Sequence, residues 1–227
     1  MIKLLPILLP VLYGLIMYRF SVWRTHRELD AQSTELMDPG LKKLTDQMAR
    51  ALDLPRIHVH VYEIAPVNGL AAPDGRIFIT RGFLKEYYDG RVTGEELASV
   101  IAHELGHVAL GHARKRMIDF SGQNALRTVL TMMISRFLPG AGAYIARMLT
   151  RLVAAGLSRK DEYEADAYAT ALLIKSGIGA EGQKSLFGKL DALTKSRGGV
   201  MPAWLMSHPK THDRVAAIEK NEADWVK

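Results

Sequence analysis

The sequence contains no cysteine among its 227 residues. Disulfides, thiolate zinc sites and cysteine nucleophiles are therefore excluded. A transition metal in this protein would have to be held by histidine and carboxylate side chains. The absence of cysteine gives no positive argument for an oxidising compartment.

Internal repeats, low-complexity segments and nucleic-acid-binding signatures are also missing. Hydrophobic residues make up 48% and charged residues 24%, the balance of a folded globular protein. The formal net charge is +6, but lysine and arginine are scattered along the chain without a recognition helix or an RNA-binding motif. Only the basic composition would support nucleic-acid binding, so we expect no nucleic-acid partner. The basic balance instead favours an anionic membrane surface.

The N-terminus is apolar, but its uncharged stretch is short. It runs from Leu4 to Tyr18, whereas a bilayer span needs roughly 20 residues, so a cleaved signal peptide is the alternative. No small-x-small cleavage site follows the stretch. The residues that do follow are typical of a membrane interface: Tyr18, Arg19, Phe20, Trp23 and Arg24. We expect an uncleaved membrane helix over residues 1–23, a linker over 24–37 and one domain over 38–227.

Basic residues are unequally distributed around this segment. Lys3 stands alone before it, whereas Arg19, Arg24 and Arg27 follow it. The positive-inside rule then predicts a single-pass protein of the cell membrane, bound to lipid through its N-terminal helix, with the body of the chain in the cytoplasm.

The order of elements predicts an α+β fold that is mostly helical. Asp38-Pro39 is a helix start and Pro55 ends that helix. A small sheet follows, with strands expected at Ile57–Tyr62, Asn68–Ala71 and Ile77–Thr80. From Thr93 onward the pattern is helical, with helices expected at about 159–176, 180–195 and 211–223. The apolar stretch 124–157 carries repeated arginines and a break at Pro139-Gly140, so an amphipathic helical pair is expected there rather than a second span.

The clearest candidate for a functional site is the segment His103-Glu104-Leu105-Gly106-His107, which is an H-E-x-x-H motif. Thr93 and Glu96 form a capping box that starts its helix. Two histidines four residues apart lie on one helix face, so both imidazoles can reach one zinc ion. Glu104 projects beside them, where it can act as general base on zinc-bound water.

Zinc needs a third protein ligand. His112 falls one residue short of the position at which a third histidine would bind, and Asp119 is the only acidic residue between Glu104 and Asp161. The next carboxylates cluster at Asp161, Glu162, Glu164 and Asp166. Glu162 and Asp166 share a helix face, so one could bind zinc while the other accepts the outward N–H of a zinc histidine. A solvated acidic helix start is the alternative, but it does not explain the small residues Ala165, Ala167 and Ala169 around these acids.

Three segments together resemble the HtpX-like zinc metalloproteases, the family that includes the CAAX prenyl endoproteases and the mitochondrial quality-control proteases. They are H-E-L-G-H at 103–107, S-R-x-x-E-Y-E-A-D at 158–166 and S-H-P-x-x-x-x-R at 207–214. The resemblance covers roughly residues 40–220 and implies a gluzincin-type domain with a small sheet beside the H-E-x-x-H helix.

The resemblance implies a role for each matching residue. One zinc ion per chain would be bound by His103, His107 and Glu162, with Glu104 as the catalytic base. Asp166 and Arg214 would support the ligands, and His208 would stabilise the tetrahedral oxyanion. The stretch Asn68, Gly69, Leu70 and Ala71 is similar to the family's substrate-binding edge strand, with glycine for alanine and leucine for phenylalanine.

These features predict a membrane-anchored zinc endopeptidase that hydrolyses peptide bonds in membrane-associated or misfolded proteins. The HtpX and CAAX members have several membrane spans, whereas this chain has one, which disfavours a prenylated substrate. The alternative function is a non-catalytic, membrane-tethered chaperone or binding module with a retained zinc site. An intact general base at Glu104 argues against that alternative.

Overall fold

A computed structural model describes residues 5–72, 74–112, 142–196, 198–209 and 212–225. The chain divides into two compact units, one comprising Met1–Glu28 with Gly111–Asp161 and the other comprising Leu29–Leu110 with Glu162–Lys227. Of the predicted amphipathic helical pair, residues 124–141 lie outside the described residues.

The first unit contains most of helix α1 (Leu5–Ala31) and the first part of helix α5 (Gly142–Lys175). Exposed apolar side chains on α1 include Leu15, Ile16 and Phe20. Within the described residues, neither α1 nor any other helix meets the combined requirement of length and apolarity for crossing a membrane.

The second unit contains a four-stranded mixed sheet. Its strands are β1 (Ser33–Glu35), β2 (Val59–Tyr62), β3 (Gly69–Ala71) and β4 (Ile77–Thr80). Their order is β1-β2-β4-β3, with β2 parallel to β4 and the two outer strands antiparallel to their neighbours. Three of these strands fall where the sequence predicts them. Strand β1 lies in the segment predicted as a linker. The sequence did not predict this strand because a short polar edge strand has no alternation of hydrophobic and polar residues.

Helices make up most of the remaining structure and confirm the expected α+β, mostly helical architecture. They are α2 (Pro39–Ala51), α3 (Arg81–Tyr88), α4 (Gly94–Ala109), the second part of α5, α6 (Glu181–Ser196), α7 (Ala203–Ser207) and α8 (His212–Trp225). Asp38 caps α2, since its side chain accepts a hydrogen bond from the Leu41 backbone N–H at 2.9 Å. Helix α7 was not expected, since a single turn is too short to show helical periodicity.

Helix α4 is the central element of the second unit. It contacts α2, α6 and strands β3 and β4. Its apolar face is fully buried at Leu97, Val100 and Ile101. The capping box predicted for its N-terminus is present, with Thr93 and Glu96 each accepting a hydrogen bond from the other's backbone N–H. A helix fixed at its start and packed on several sides holds its other side chains in defined positions.

Candidate metal centre

Helix α4 brings the three functional residues of the H-E-x-x-H motif into the interior. His103, Glu104 and His107 are 2%, 2% and 3% exposed. The Nε2 atoms of His103 and His107 lie 3.1 Å apart, as two imidazoles one helical turn apart can do. Two ring nitrogens and a carboxylate buried side by side are costly unless a ligand or a hydrogen bond satisfies them.

A close helix crossing brings α5 to this face of α4. A Cβ atom at Gly106 would lie 3.0 Å from both the Cα and the carbonyl oxygen of Ala165, so glycine lets the two backbones approach more closely than a larger residue would without a shift. The small residue Ala165, fully buried, is the matching position on α5. The crossing places the Glu162 carboxylate beside the histidines, with Oε2 3.4 Å from His103 Nε2 and Oε1 3.5 Å from His107 Nε2.

The distances between these donor atoms fit a zinc ion. A tetrahedral zinc with bonds of about 2.0–2.1 Å holds its ligand atoms about 3.3–3.4 Å apart. The three separations among His103, His107 and Glu162 are 3.1, 3.4 and 3.5 Å. His208 adds a fourth donor, and the ligand atoms of all four residues lie within 4.8 Å of one another.

Asp166 and Arg214 orient the first histidine. The Asp166 Oδ1 atom lies 2.9 Å from His103 Nδ1, and Arg214 donates two hydrogen bonds to the same carboxylate, at 2.7 and 2.9 Å. Burial opposes ionisation of Asp166, but hydrogen bonds from Arg214 and His103 outweigh it and lower the pKa of this carboxyl. The carboxylate therefore accepts the Nδ1–H of His103, so the Nε2 lone pair is directed at the centre when the imidazole is neutral.

The same contacts change the proton affinity of the site. Burial by itself would lower the pKa of His103, but hydrogen bonds with Asp166 and Glu162 prevail and raise it to about 9. Burial would likewise raise the pKa of Glu162, yet hydrogen bonds with His103 and His208 hold it well below its usual range. The carboxylates of the centre therefore favour a bound cation at the histidines, whether a proton or a metal ion.

His208 lies between the two glutamates of the site. Its Nδ1 atom is 2.9 Å from Glu162 Oε2, and its Nε2 atom is 3.3 Å from Glu104 Oε1. The loop that carries it is held by Arg214, whose Nη1 donates to the backbone oxygens of His208 and Pro209 at 3.2 and 3.0 Å. One arginine therefore fixes both the Asp166 carboxylate and the His208 loop.

Trp204 also belongs to the site, and sequence reasoning missed it. It is 2% exposed, its Nε1–H donates a hydrogen bond to Glu104 Oε1 at 3.3 Å, and its ring stacks on the His208 ring at 5.3 Å. The available signal was weak: a tryptophan four residues before His208, in a segment without helical periodicity.

The expected substrate strand lies at the edge of the sheet. Strand β3 pairs with β4 on one side and is the last strand in the sheet order. It packs on α4, since a Cβ atom at Gly69 would lie 2.6 Å from Val100 Cγ1. Asn68, the residue before the strand, has a buried side-chain oxygen for which the described residues provide no hydrogen-bond partner.

His112 has a different environment from the site histidines. Helix α4 ends at Ala109, and Gly111 has a φ of 70°. In the first unit, His112 Nε2 lies 3.8 Å from Asp161 Oδ1.

A buried helix with two histidines and a glutamate, completed by a carboxylate from a second helix, defines the gluzincin class of metalloprotease. The family model described as "Peptidase family M48" matches residues 35–222. The chain belongs to this family, which confirms the resemblance inferred from its three motifs.

Several curated metalloproteases are similar in sequence. Metalloprotease LoiP of Escherichia coli is 31% identical over 172 residues, covering 75% of this chain and 65% of the relative. Metalloprotease YcaL of Escherichia coli is 28% identical, covering 78% of this chain and 67% of the relative. The human mitochondrial metalloendopeptidase OMA1 is 25% identical, and the match covers 71% of this chain but 32% of the relative. The chain therefore spans about two-thirds of the two bacterial relatives and about a third of the human one.

Proposed function

We propose that this protein is a zinc endopeptidase in which His103, His107 and Glu162 bind one zinc ion and Glu104 is the general base. The observation that supports the proposal most directly is the convergence of three side chains, two imidazoles and one carboxylate, whose facing atoms are separated by 3.1–3.5 Å beside a buried glutamate that is not needed as a ligand. A structural zinc site closes its coordination with protein ligands and has no use for such a base.

In the proposed reaction, a bound zinc ion supplies a Lewis acid that activates water and polarises the scissile carbonyl. Glu104 accepts a proton from the attacking water and later transfers it to the leaving amine nitrogen, so the C–N bond breaks as the amine becomes neutral. Asp166 and Arg214 keep His103 in the tautomer that leaves its Nε2 free of a proton. The burial of all these groups excludes bulk water and strengthens their electrostatic interactions.

His208 is proposed to stabilise the negative charge that develops on the substrate carbonyl oxygen. Its Nε2 lies 3.3 Å from the oxygen of the base, so an N–H at this atom is next to the reacting carbonyl when water attacks from the side of Glu104. A substrate peptide in extended conformation would pair with the outer edge of β3, along Gly69, Leu70 and Ala71.

Two isosteric substitutions test this proposal. Zinc content and casein hydrolysis are measured for the wild type, Glu104→Gln and Glu162→Gln, with Glu95→Gln on the exposed face of the same helix as control. We expect Glu104→Gln to keep zinc and lose proteolysis, because only proton transfer is removed. Glu162→Gln should lose both, and Glu95→Gln neither. Full proteolysis by Glu104→Gln would refute the mechanism, and full zinc affinity in Glu162→Gln would refute the ligand set.

A non-catalytic zinc module is the second candidate, and one observation favours it. His208 brings a fourth donor to the same centre, and a zinc ion held by four protein ligands has no open position for water. This function requires that zinc binding be lost when His208 is removed, whereas the endopeptidase requires only that hydrolysis be lost.

We further propose that the N-terminal segment attaches the protein to the cell membrane as a single pass, with the catalytic unit in the cytoplasm and membrane-associated or misfolded polypeptides as substrates. Support comes from the aromatic and basic side chains at its end, among them exposed Phe20 and Trp23, with Arg27 5.5 Å from the Trp23 ring centre. Carbonate extraction of membranes tests the anchoring: retention in the pellet supports a span, and release refutes it. Protease accessibility of the C-terminus in spheroplasts tests the orientation.

A further inference from the structure

Trp204 contacts several parts of the site, although it belongs to none of the sequence motifs. It lies on α7, and its backbone N–H donates to the Val67 oxygen at 3.0 Å, just before the edge strand. Its own backbone oxygen accepts from the His208 N–H at 2.8 Å. The residue is thus fixed at two backbone points, between the proposed substrate strand and the His208 loop.

The indole directs its single polar atom at the base. The Nε1–H donates to Glu104 Oε1 at 3.3 Å, and both side chains are 2% exposed. An indole N–H is a donor only and does not titrate, so it orients a carboxylate without taking up the proton that the base must carry. Two rotatable bonds, Cβ–Cγ and Cγ–Cδ, join the Glu104 carboxylate to its Cβ atom. A donor in a fixed position therefore restricts the directions in which the carboxylate oxygens can point.

The ring of Trp204 restrains the imidazoles as well. It stacks on His208 with an interplanar angle of 28° and meets His103 edge-on, with ring centres 5.6 Å apart. Phe187 also lies against the indole, with the two ring centres 6.0 Å apart. Stacked and edge-to-face rings favour a definite separation and angle, so the indole limits rotation of His208 about its side-chain bonds.

We infer that Trp204 is a positioning residue that sets the general base Glu104 and the oxyanion donor His208 in one mutual geometry. The inference rests on the proposed function of those two residues. Its specific content is that the indole N–H, and not only the bulk of the ring, contributes to the chemical step. Misplacement of catalytic groups by about 1 Å can reduce turnover by about 100-fold, so losing this donor should lower kcat.

The first test is Trp204→Phe, which keeps an aromatic ring against His208 but removes the N–H. We expect kcat for a fluorogenic peptide to fall about 10- to 100-fold, with KM within about twofold of the wild type and with unchanged zinc content. Trp225→Phe, at an exposed tryptophan of α8, is the control and should leave kcat unchanged.

The second test removes the donor without changing the shape of the side chain. The chain has three tryptophans, Trp23, Trp204 and Trp225, so the double variant Trp23→Phe/Trp225→Phe leaves Trp204 alone. Growth of a tryptophan auxotroph on the benzothiophene analogue then replaces the indole N–H by sulfur at this position only. The same double variant carrying ordinary tryptophan is the matched comparison, and melting temperatures are measured for both.

A lower kcat for the analogue, at equal KM, zinc content and melting temperature, supports the positioning role. Equal kcat values overturn it, and so does a rise in KM alone, which would make Trp204 a substrate-binding wall. Loss of zinc would also overturn it, since the ring would then only support the ligands. The proposed function and this inference fail on different results. Full activity of Glu104→Gln would refute the proposed function. An unchanged kcat in the Trp204 variants would refute only the positioning role of Trp204.

Discussion

Asp166 is the residue on which the charge balance of the site depends. It accepts from His103 on one side and receives two hydrogen bonds from Arg214 on the other. A neutral amide has nearly the same shape but presents an N–H or a weaker oxygen to the imidazole, so it no longer selects the tautomer that zinc requires.

We expect Asp166→Asn to weaken zinc binding by about 10- to 100-fold and to lower activity with it. Competition against a chromophoric chelator gives the affinity. Asp213→Asn, an exposed acid next to Arg214 in the sequence, is the control and should bind zinc as the wild type does. Undiminished affinity in Asp166→Asn would contradict the role given to this carboxylate.

Zinc uptake should release a proton at neutral pH. The pKa of His103 in the metal-free protein is about 9, so its imidazole is protonated at pH 7, but zinc binds only the neutral form. Because this pKa is raised, the apparent zinc affinity should rise with pH, about tenfold per unit for one proton, and level off near pH 9. Titration calorimetry at pH 7 in buffers of different ionisation enthalpy should count about one proton released per zinc. An affinity independent of pH between 6.5 and 8.5 would contradict the assignment.

His208 distinguishes an open catalytic site from a closed structural one. We expect His208→Gln to keep zinc and to lower kcat by about 100- to 1,000-fold, the usual cost of removing a transition-state hydrogen-bond donor. Metal analysis and peptide hydrolysis on the same preparation decide between the two functions. Zinc loss in this variant would favour the four-ligand, non-catalytic site.

At the scale of elements, the crossing of α4 and α5 places Glu162, the proposed third ligand, beside the two histidines. Gly106 lies at the contact, and a methyl group there would meet the Ala165 backbone at 3.0 Å and Tyr168 Cβ at 3.2 Å. A larger residue at this position would therefore shift α4 and α5 relative to one another and change the geometry of the proposed ligands as well as the helix packing.

Gly106→Ala should push the helices apart and move Glu162 away from the two imidazoles. We expect a loss of about 1–3 kcal/mol in unfolding free energy, together with weaker zinc binding. Gly188→Ala on α6 is the matched control, since nothing lies within 4 Å of a Cβ atom there. That change should leave zinc binding alone and stabilise the protein by up to about 1 kcal/mol, because alanine favours helix over glycine. Denaturant unfolding and zinc titration of both variants test the expectation.

The elements that carry local signals were predictable from the sequence. The start of α4 follows from its capping box, and strand β4 from its run of β-branched and aromatic residues. The pairing of Glu162 and Asp166 on one helix face follows from their spacing alone. Strand β1 and helix α7 could not be predicted, because their residues are ordered by partners distant in the sequence. The place of Trp204 in the site could not be predicted for the same reason, since it depends on a backbone contact with Val67.

At the scale of the whole molecule, zinc should act as a stabilising ligand. A metal at about 1,000 times its dissociation constant adds about 4 kcal/mol to folding, which for a chain of 227 residues corresponds to roughly 8–16 °C in melting temperature. Chelation by EDTA should lower the melting temperature by this order, and re-addition of zinc should restore it. Glu162→Gln should show little response to either, and a large response in that variant would mean that the metal stabilises the protein from another place.

The distance along the chain between His103 and Arg214 has a consequence for biosynthesis. A ribosome delivers the H-E-x-x-H helix first, the carboxylates of α5 much later, and Trp204, His208 and Arg214 last. A nascent chain that has emerged only as far as α5 would hold the proposed zinc ligands but lack Arg214, which donates to Asp166, and the loop that carries His208. On the proposed function, we therefore expect no proteolysis by the nascent chain until α8 has folded and brought Arg214 to Asp166.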